Sequence, residues 1–199
     1  MNDQIQEKMQ KAIWIGKSLF ERNKVSGSSA NMSFRHGSVI YITGSGTCFG
    51  NLANNDFAVV DLDGNPINQV KPSKELPLHL MLYHKDEKIQ AVIHTHSFYA
   101  TLWSCLKHED FSDVIPQYTP YLKMKLGTVG LVPYGRPDSQ ELFQAFSKCI
   151  DKSDGFLLKN HGPIVGGKNL MSTFYILEEL EESARIAWNF RNENAELIH

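Results

Sequence analysis

The stretch AVIHTHSFYA, residues 91–100, places two histidines at the end of an apolar segment. Residues 91–93 are typical of a buried strand, and His94 and His96 follow two positions apart. Side chains two positions apart in a strand project from the same face, so both imidazoles are expected on one side with Cα atoms about 7 Å apart. That spacing would allow two rings to bind one ion. It is equally compatible with one histidine in the core and the other on the surface.

Length and composition indicate an ordinary globular protein. The chain has 199 residues, of which 42% are apolar and 21% are charged, so we expect a single domain over residues 1–199. A formal net charge of −2 provides no basic field for nucleic acid, and no apolar run approaches the roughly 20 residues that span a bilayer. The polar N-terminus is unlike a signal peptide. Three widely spaced cysteines suit reduced thiols, which favours a cytoplasmic protein.

Helical and extended patterns alternate along the chain. Amphipathic or capped helices are predicted over residues 5–23, 73–85, 98–106, 139–150 and 169–190. Strands are predicted within residues 31–44, 57–67, 89–96, 131–134 and 155–166. The first of these segments reads as a hairpin that turns at His36 and Gly37. Intermixed strands and helices favour one α/β domain with a mixed sheet flanked by helices.

A third histidine extends the possible metal site. His161 follows the apolar strand GFLLKN in a tight NHGP turn. Three histidines with an open fourth position form a familiar catalytic zinc arrangement, because imidazole suits Zn²⁺ and the vacancy admits water or substrate. The chain has eight histidines, so a third one near a strand end also arises easily by chance. Spacing alone leaves a metal site and structural histidines as alternatives.

The segment KPSKE offers a carboxylate and a possible anion site. Ser73 is predicted to cap a helix with Glu75 in its first turn, where a carboxylate often only stabilises the helix dipole. The same helix end, with Lys74 beside it, could bind an anion. The small-residue loops GSSANMS (27–33) and TGSGT (43–47) could surround a phosphate with backbone N–H groups, although each is as readily a plain turn.

In combination these segments resemble the class II aldolase/adducin family. The shared order is SSANMS, ITGSG, PSKE, HTH, a tyrosine before a glycine in PYLKMKLG, and NHGP, and it covers residues 10–190. The segments KPSKE, GTCFGNL, TPY and EELEE resemble the branch that decarboxylates 3-oxo-tetronate 4-phosphates. The resemblance implies a single three-layer α/β domain whose mixed, mostly antiparallel sheet is flanked by helices. It also implies a homotetramer with active sites at the subunit interfaces.

The resemblance implies a role for each candidate residue. His94, His96 and His161 would hold zinc or another divalent metal, one ion per chain. Glu75 would be the general acid/base and would also contact the metal in the free enzyme. Tyr121, six residues before Gly127, would donate a proton in a neighbouring subunit's site. The substrate phosphate would be bound by Asn31, Ser45, Gly46, Ser73 and Lys74.

The implied reaction is decarboxylation of a 3-oxo-tetronate 4-phosphate to dihydroxyacetone phosphate and CO₂ in sugar-acid catabolism. Zinc chelating the C2 and C3 oxygens would withdraw electrons from the bond to the carboxylate and stabilise a metal-bound enediolate. Glu75 or Tyr121 would then supply a proton. The expected partner is therefore a phosphorylated sugar acid or ketose, with neither nucleic acid nor membrane involved.

Departures from the family pattern and other activities define the alternatives. Ala30 stands where a glycine is usual, Ser45 where a threonine is usual, and Lys74 where the aldolases carry a serine, a change that favours a more anionic substrate. The same family includes sugar-phosphate aldolases of the fuculose-1-phosphate type, pentulose-phosphate 4-epimerases and thiosugar-phosphate dehydratases. A non-enzymatic adducin-like binding module is disfavoured by the intact histidine and glutamate set. An unrelated zinc hydrolase is disfavoured because HTHSFY lacks the rest of an HxHxDH motif.

Overall fold

The structure, a computed structural model, describes residues 3–198. The helices are α1 (Asp3–Glu21), α2 (Leu76–Lys85), α3 (Phe98–Ser104), α4 (Tyr121–Lys125), α5 (Gln140–Cys149) and α6 (Leu170–Phe190). The strands are β1 (Asn31–His36), β2 (Val39–Thr43), β3 (Phe57–Asp61), β4 (Ala91–His94), β5 (Val129–Val132), β6 (Gly155–Leu158) and β7 (Gly162–Gly167). Every predicted helix and strand is present with shifted ends, whereas α4 was not predicted. Within residues 3–198, no helix combines the length and apolar character that a bilayer crossing requires.

The strands form one seven-stranded mixed sheet in the order β3-β2-β1-β4-β7-β6-β5. The pairs β1–β2, β2–β3, β1–β4 and β6–β7 are antiparallel, and β5 and β6 run parallel. The predicted fold class, α/β with a mixed and mostly antiparallel sheet, is confirmed.

The residues cluster into two compact units, 3–95 with 166–174 and 96–165 with 175–198. The polypeptide passes from one unit to the other after residues 95, 165 and 174. A single domain over residues 1–199 stays a prediction, and Met1, Asn2 and His199 lie outside the described residues.

The first unit contains α1, α2 and β1 to β4. The β1–β2 hairpin turns at Gly37, whose φ of 63° lies in the left-handed region that glycine adopts without strain. The buried face of α1 has the helical spacing seen in the sequence, since Met9, Ala12 and Ile15 are all in the core. Gly16 lies on the same face, and a Cβ there would come within 2.7 Å of the Leu52 Cδ1, so a larger residue would force the Leu52 side chain to move.

The start of α2 differs from the expectation. The helix begins at Leu76 with Glu75 as its N-cap residue, rather than at Ser73. Ser73 instead belongs to a preceding turn, in which its hydroxyl accepts from the Glu75 N–H at 3.3 Å and its carbonyl accepts from the Leu76 N–H at 3.1 Å. Pro77 lies in the first helical turn, where its missing N–H costs no intrahelical bond. Glu75 therefore lies at the N-cap position rather than in the first turn, and its side chain makes no capping hydrogen bond to the helix.

The second unit contains α3, α4, α5, β5, β6 and the greater part of β7 and α6. Ser139 caps α5, since its hydroxyl accepts from the Leu142 N–H. The cap of α3 comes from a distant residue. Glu181 on α6 is 2% exposed, and its carboxylate accepts from the N–H groups of Tyr99 at 3.1 Å and Ala100 at 2.9 Å. A buried carboxylate at a helix N-terminus satisfies two backbone donors that lack partners within the helix.

Candidate metal and acid–base site

The two neighbouring histidines occupy different local structures. His94 is the last residue of β4, is fully buried, and pairs with Asn31 of β1. The strand was predicted to extend through His96, and that is wrong. The chain leaves the strand after His94 because Ser97 is the N-cap residue of α3, whose N-terminal N–H groups are held by Glu181. His96 therefore lies in the short connection between β4 and α3.

His161 lies in the turn between β6 and β7, as the sequence indicated. Asn160 adopts a left-handed φ of 56° in this turn, and the His161 N–H donates to the Leu158 carbonyl at 3.1 Å. The hydroxyl of Thr101 on α3 donates to the His161 carbonyl at 3.3 Å. These bonds bring the imidazoles of His96 and His161 together, with ring centroids 4.7 Å apart at 69°.

The three histidines form a group that could hold a metal. One ligand nitrogen each from His94, His96 and His161 lies within 4.8 Å of the other two. Neutral imidazole suits Zn²⁺ and related divalent ions, and three such ligands leave a fourth position for water or substrate. The hydroxyls of Thr95 and Ser97, which flank His96, are buried and make no hydrogen bond with any of residues 3–198. The donor set therefore fits a three-histidine divalent site.

Glu75 lies beside the first of these histidines. Its carboxylate is 5% exposed, and Oε2 is 3.3 Å from the His94 Nε2. The same oxygen accepts from the Asn31 Nδ2 at 2.8 Å. Asn31 also pairs with His94 across β1 and β4. Asn31 therefore links the Glu75 carboxylate to the strand that carries His94. A buried carboxylate next to an imidazole and an amide donor is a candidate proton acceptor and donor.

A chain of polar side chains continues from Asn31 into the core. The Asn31 Oδ1 is 2.6 Å from the His79 Nε2, and the His79 Nδ1 is 2.7 Å from the Ser33 Oγ. The Ser33 Oγ is in turn 2.7 Å from the Tyr83 hydroxyl. All of these groups are buried. Asn31 thus has one amide atom on Glu75 and the other on His79.

Burial determines the protonation states of His79 and Tyr83. Desolvation, with a smaller contribution from His94, lowers the pKa of His79 from 6.5 to about 3, so His79 is neutral at neutral pH. Burial also raises the pKa of Tyr83 above its ordinary value, against the smaller opposing effects of Ser33 and Arg35. Tyr83 therefore remains protonated and available as a donor.

The sequence analysis did not identify His79, Ser33 or Tyr83. A signal was present, because Glu75, His79 and Tyr83 are four residues apart, and residues at that spacing share one face of a helix. The stretch LPLHLMLY was interpreted only as part of the helix predicted over residues 73–85. Glu181 lies in the helix predicted over residues 169–190, and nothing in its local sequence connects it with residues 99 and 100.

The loops expected to bind phosphate lie side by side. The Ser45 N–H donates to the Lys71 carbonyl at 2.9 Å, and the Ser73 N–H donates to the Thr43 carbonyl at 3.1 Å. An isolated bridge joins Gly44 and Pro72 between these bonds. The Thr43 hydroxyl also accepts from the Met32 N–H at 3.1 Å, which brings β1 to the same region.

The polar groups of these loops reach solvent. Ser45, Gly46 and Lys74 are exposed, Ser73 is half-buried, and Asn31 is buried. The structure therefore brings the segments that carry the five residues into one region, whereas their contacts with phosphate stay a prediction.

Tyr121 differs from the other candidates in its environment. It begins α4 directly after Pro120 and is 56% exposed. The side chains of His94 and Glu75, by contrast, are buried. A catalytic role for Tyr121 stays a prediction.

The family comparison agrees with the fold and the residue set. Residues 10–188 match the family described as class II aldolase and adducin N-terminal domain. The chain belongs to this family.

Relatives within the family include two kinds of enzyme. The 3-oxo-tetronate 4-phosphate decarboxylase of Pectobacterium atrosepticum is 39% identical over 175 residues, which cover 87% of this chain and 80% of the relative. The L-fuculose phosphate aldolase of Methanococcus maripaludis is 37% identical over 180 residues, covering 90% and 96%. The crystal structure of YgbL from Klebsiella pneumoniae, described as a candidate aldolase/epimerase/decarboxylase, has a TM-score of 0.93 and is 36% identical, covering 98% of this chain and 94% of YgbL.

The buried His79 predicts a particular pH dependence of stability. Its pKa is about 3 in the folded protein against 6.5 for an unperturbed histidine, so the unfolded chain binds a proton between these values and the folded chain does not. The free energy of unfolding should therefore fall as the pH drops. Between about pH 7 and about pH 5, His79 alone should account for a loss of about 2 kcal/mol.

Replacing His79 with Met should remove this contribution, so the variant should lose about 2 kcal/mol less than the wild type over the same pH interval. Urea denaturation of metal-free protein at one protein concentration measures the difference. His84→Met, at an exposed histidine on the same helix, is the control and should keep the wild-type pH dependence. Equal pH dependence in all three proteins would show that His79 is protonated in the folded state.

Proposed function

We propose that this chain is a metal-dependent carboxy-lyase that decarboxylates a 3-oxo-tetronate 4-phosphate to dihydroxyacetone phosphate and CO₂. The observation that carries the proposal is a buried carboxylate, Glu75, held 3.3 Å from a histidine of a three-histidine group in a family member with decarboxylase relatives. Together these residues would supply both parts that such a reaction requires, a metal site and a fixed acid/base. The cytoplasm, where phosphorylated sugars are metabolised, is the proposed location.

The reaction removes one carboxylate and adds one proton. The bond between C1 and C2 breaks, C1 leaves as CO₂, and the bonding electrons remain on the C2–C3 unit as an enediolate. A proton is then added at C2, which yields the ketose phosphate. The protein must therefore stabilise negative charge next to the ketone and deliver a proton to one carbon.

His94, His96 and His161 are the proposed ligands of the metal, with Glu75 as a further ligand before substrate binds. A bound zinc or other divalent ion would supply Lewis-acid polarisation of the substrate oxygens at this position.

Glu75 is the proposed acid/base. Its Oε2 is held by the Asn31 amide, which leaves the carboxylate one fixed orientation beside His94. From that position it would take the proton of a substrate hydroxyl and pass it to C2, and the hydroxyl oxygen would then take up from solvent the one proton that the overall reaction adds. The burial of the carboxylate keeps bulk water away from the carbon that must be protonated.

The adjoining loops are the proposed binding site for the anionic ends of the substrate. Ser45 and Gly46 at exposed positions and Ser73 at a half-buried one offer hydroxyl and backbone groups near Asn31. Lys74 is exposed next to Ser73 and adds an ammonium group. The substrate of a decarboxylase carries both a phosphate and a carboxylate, and a cation here would favour it over a ketose phosphate with one anionic end.

The proposed assembly is a homotetramer in which Tyr121 completes the site of a neighbouring subunit. The exposure of Tyr121 on α4 supports this arrangement, because a buried tyrosine could not reach another copy. The hydroxyl would serve as a second proton donor.

A sugar-phosphate aldolase is the second candidate function. The M. maripaludis relative named L-fuculose phosphate aldolase is nearly as similar to this chain as the decarboxylase from P. atrosepticum. Both reactions produce an enediolate by breaking a carbon–carbon bond, so they require the same metal site and acid/base. They differ in the leaving fragment, an aldehyde or CO₂.

Substrate preference provides the test of function. Purified protein is incubated with 3-oxo-tetronate 4-phosphates and with ketose phosphates, and CO₂ and dihydroxyacetone phosphate are measured together. We expect both products from the oxo acid in equal amounts. Dihydroxyacetone phosphate released only from ketoses, without CO₂, would assign the aldolase reaction instead.

Lys74→Ser restores the residue typical of the aldolases. If Lys74 binds the second anionic group, kcat/KM for the oxo acid phosphate should fall by about tenfold to a hundredfold while melting temperature and metal content stay constant. Lys71→Ser is the matched control, since Lys71 is an exposed lysine of the same loop. Equal kinetics for Lys74→Ser and the wild type would make Lys74 a surface residue without a role in binding.

Metal content provides a separate prediction. The protein purified without chelator should contain about one divalent ion per chain, most often zinc, by elemental analysis. His94→Ala and His161→Ala should each abolish binding because two ligands hold an ion far more weakly than three. His84→Ala, at an exposed histidine, should keep the wild-type content. Full activity of metal-free protein would contradict the proposed chemistry.

The assembly is tested at Tyr121. Light scattering should give the mass of four chains, and Tyr121→Phe should lower kcat by at least about tenfold with unchanged metal content. Tyr134→Phe, at another exposed tyrosine, is the matched control. A monomer with full activity would remove the proposed role of a neighbouring subunit.

A further inference from the structure

The amide of Asn31 can be placed in two orientations that fill the same space. In one, the NH₂ group faces Glu75 and the oxygen faces His79; in the other the two are exchanged. Only the first is compatible with a carboxylate at Glu75, because a carboxylate oxygen accepts hydrogen bonds and cannot donate one. The observed bond, from Asn31 Nδ2 to Glu75 Oε2 at 2.8 Å, is of this kind. Whatever holds the amide in this orientation also determines whether Glu75 faces a donor.

The other end of the amide shows which group does so. The Asn31 Oδ1 can only accept, so the His79 Nε2 at 2.6 Å must carry a proton. A neutral imidazole then has an acceptor at Nδ1, and the Ser33 hydroxyl at 2.7 Å must donate to it. The Ser33 oxygen can accept in turn from Tyr83 at 2.7 Å. Every donor in this buried chain therefore points towards Glu75.

We propose that His79 is a positioning residue. It acts through Asn31 on the acid/base, Glu75. Its Nε2–H tautomer holds the Asn31 oxygen and so keeps the amide NH₂ directed at the Glu75 carboxylate. His79 does not touch the substrate or the metal ligands by any bond described above. Its contribution is to set the orientation of one amide and, through it, of one carboxylate.

The inference rests on the proposed function only for its kinetic consequence. The tautomer and the amide orientation are properties of the folded chain and can be measured without any substrate. Without the His79 donor, only the bond to Glu75 would hold the Asn31 amide in this orientation. The carboxylate of Glu75 would then lose its fixed donor for part of the time, and turnover would fall more than substrate binding.

The first experiment determines the tautomer. Histidine is labelled with ¹⁵N in the metal-free wild type, and the ring nitrogen signals of His79 are assigned by their loss in His79→Gln. We expect a neutral ring protonated at Nε2 between about pH 6 and about pH 8. Protonation at Nδ1, or a charged ring, would overturn the inference whatever reaction the protein catalyses.

The second experiment uses two substitutions of similar size. The Gln side chain can place an N–H close to the position of the imidazole Nε2, whereas Met offers no donor. With the substrate that the wild type turns over, His79→Met should lower kcat by about tenfold with KM within about twofold, and His79→Gln should restore kcat to within about threefold of the wild type. Metal content should be the same in all three proteins.

His84→Met is the matched control, since it makes the same change at an exposed histidine of α2 and should leave kcat and KM unchanged. Equal loss of kcat in His79→Met and His79→Gln would mean that His79 only fills space, and equal retention would mean that its donor is not needed. Either result would overturn the inference. If His79→Met does not fold, the comparison of His79→Gln with the wild type and the tautomer measurement still decide it. A wild type that converts none of the phosphorylated substrates would reject the proposed function and leave the tautomer result standing.

Discussion

The hydrogen bond from Asn31 to Glu75 connects the elements on which the candidate site depends. Asn31 is the first residue of β1, it pairs with His94 at the end of β4, and its side chain donates to the N-cap residue of α2. Two strands and a helix are thus fixed relative to one carboxylate. A buried amide with both ends bonded tolerates little displacement, because each lost bond would leave a polar group in the core without compensation. The arrangement of His94 and Glu75 follows from this constraint.

Much of the fold could be predicted because its elements carry strong local signals. The apolar face of α1 and the hairpin turn at Gly37 both depend on nearby residues and are found as expected. Element ends were less predictable. The helix expected from Ser73 begins at Leu76, and the strand expected to reach His96 ends at His94, because side-chain and backbone bonds with distant segments decide both boundaries.

The candidate site was predicted in part, because only some of its residues carry local sequence signals. The histidines of HTH and NHGP have recognisable spacings, and the glutamate of PSKE follows from the resemblance. The polar chain through His79 and Ser33 crosses from α2 to β1, so its residues are far apart in sequence and its donors can be assigned only from geometry. Local spacing showed that His79 and Glu75 share a helix face, but it could not show that Asn31 lies between them. Contacts of this kind require the tertiary structure.

The carboxylate of Glu181 ties α3 to the closing helix of the same unit. It holds the N–H groups of Tyr99 and Ala100, three and four residues after His96. The segment that carries His96 is thereby anchored from a point less than twenty residues from the end of the chain. A shortened protein ending before Glu181 would retain His94, His96, His161 and Glu75 and yet lose the anchor of one candidate metal ligand. Helix α6 thus helps to position His96 through Glu181, even though none of the proposed catalytic or metal-binding residues lies on it.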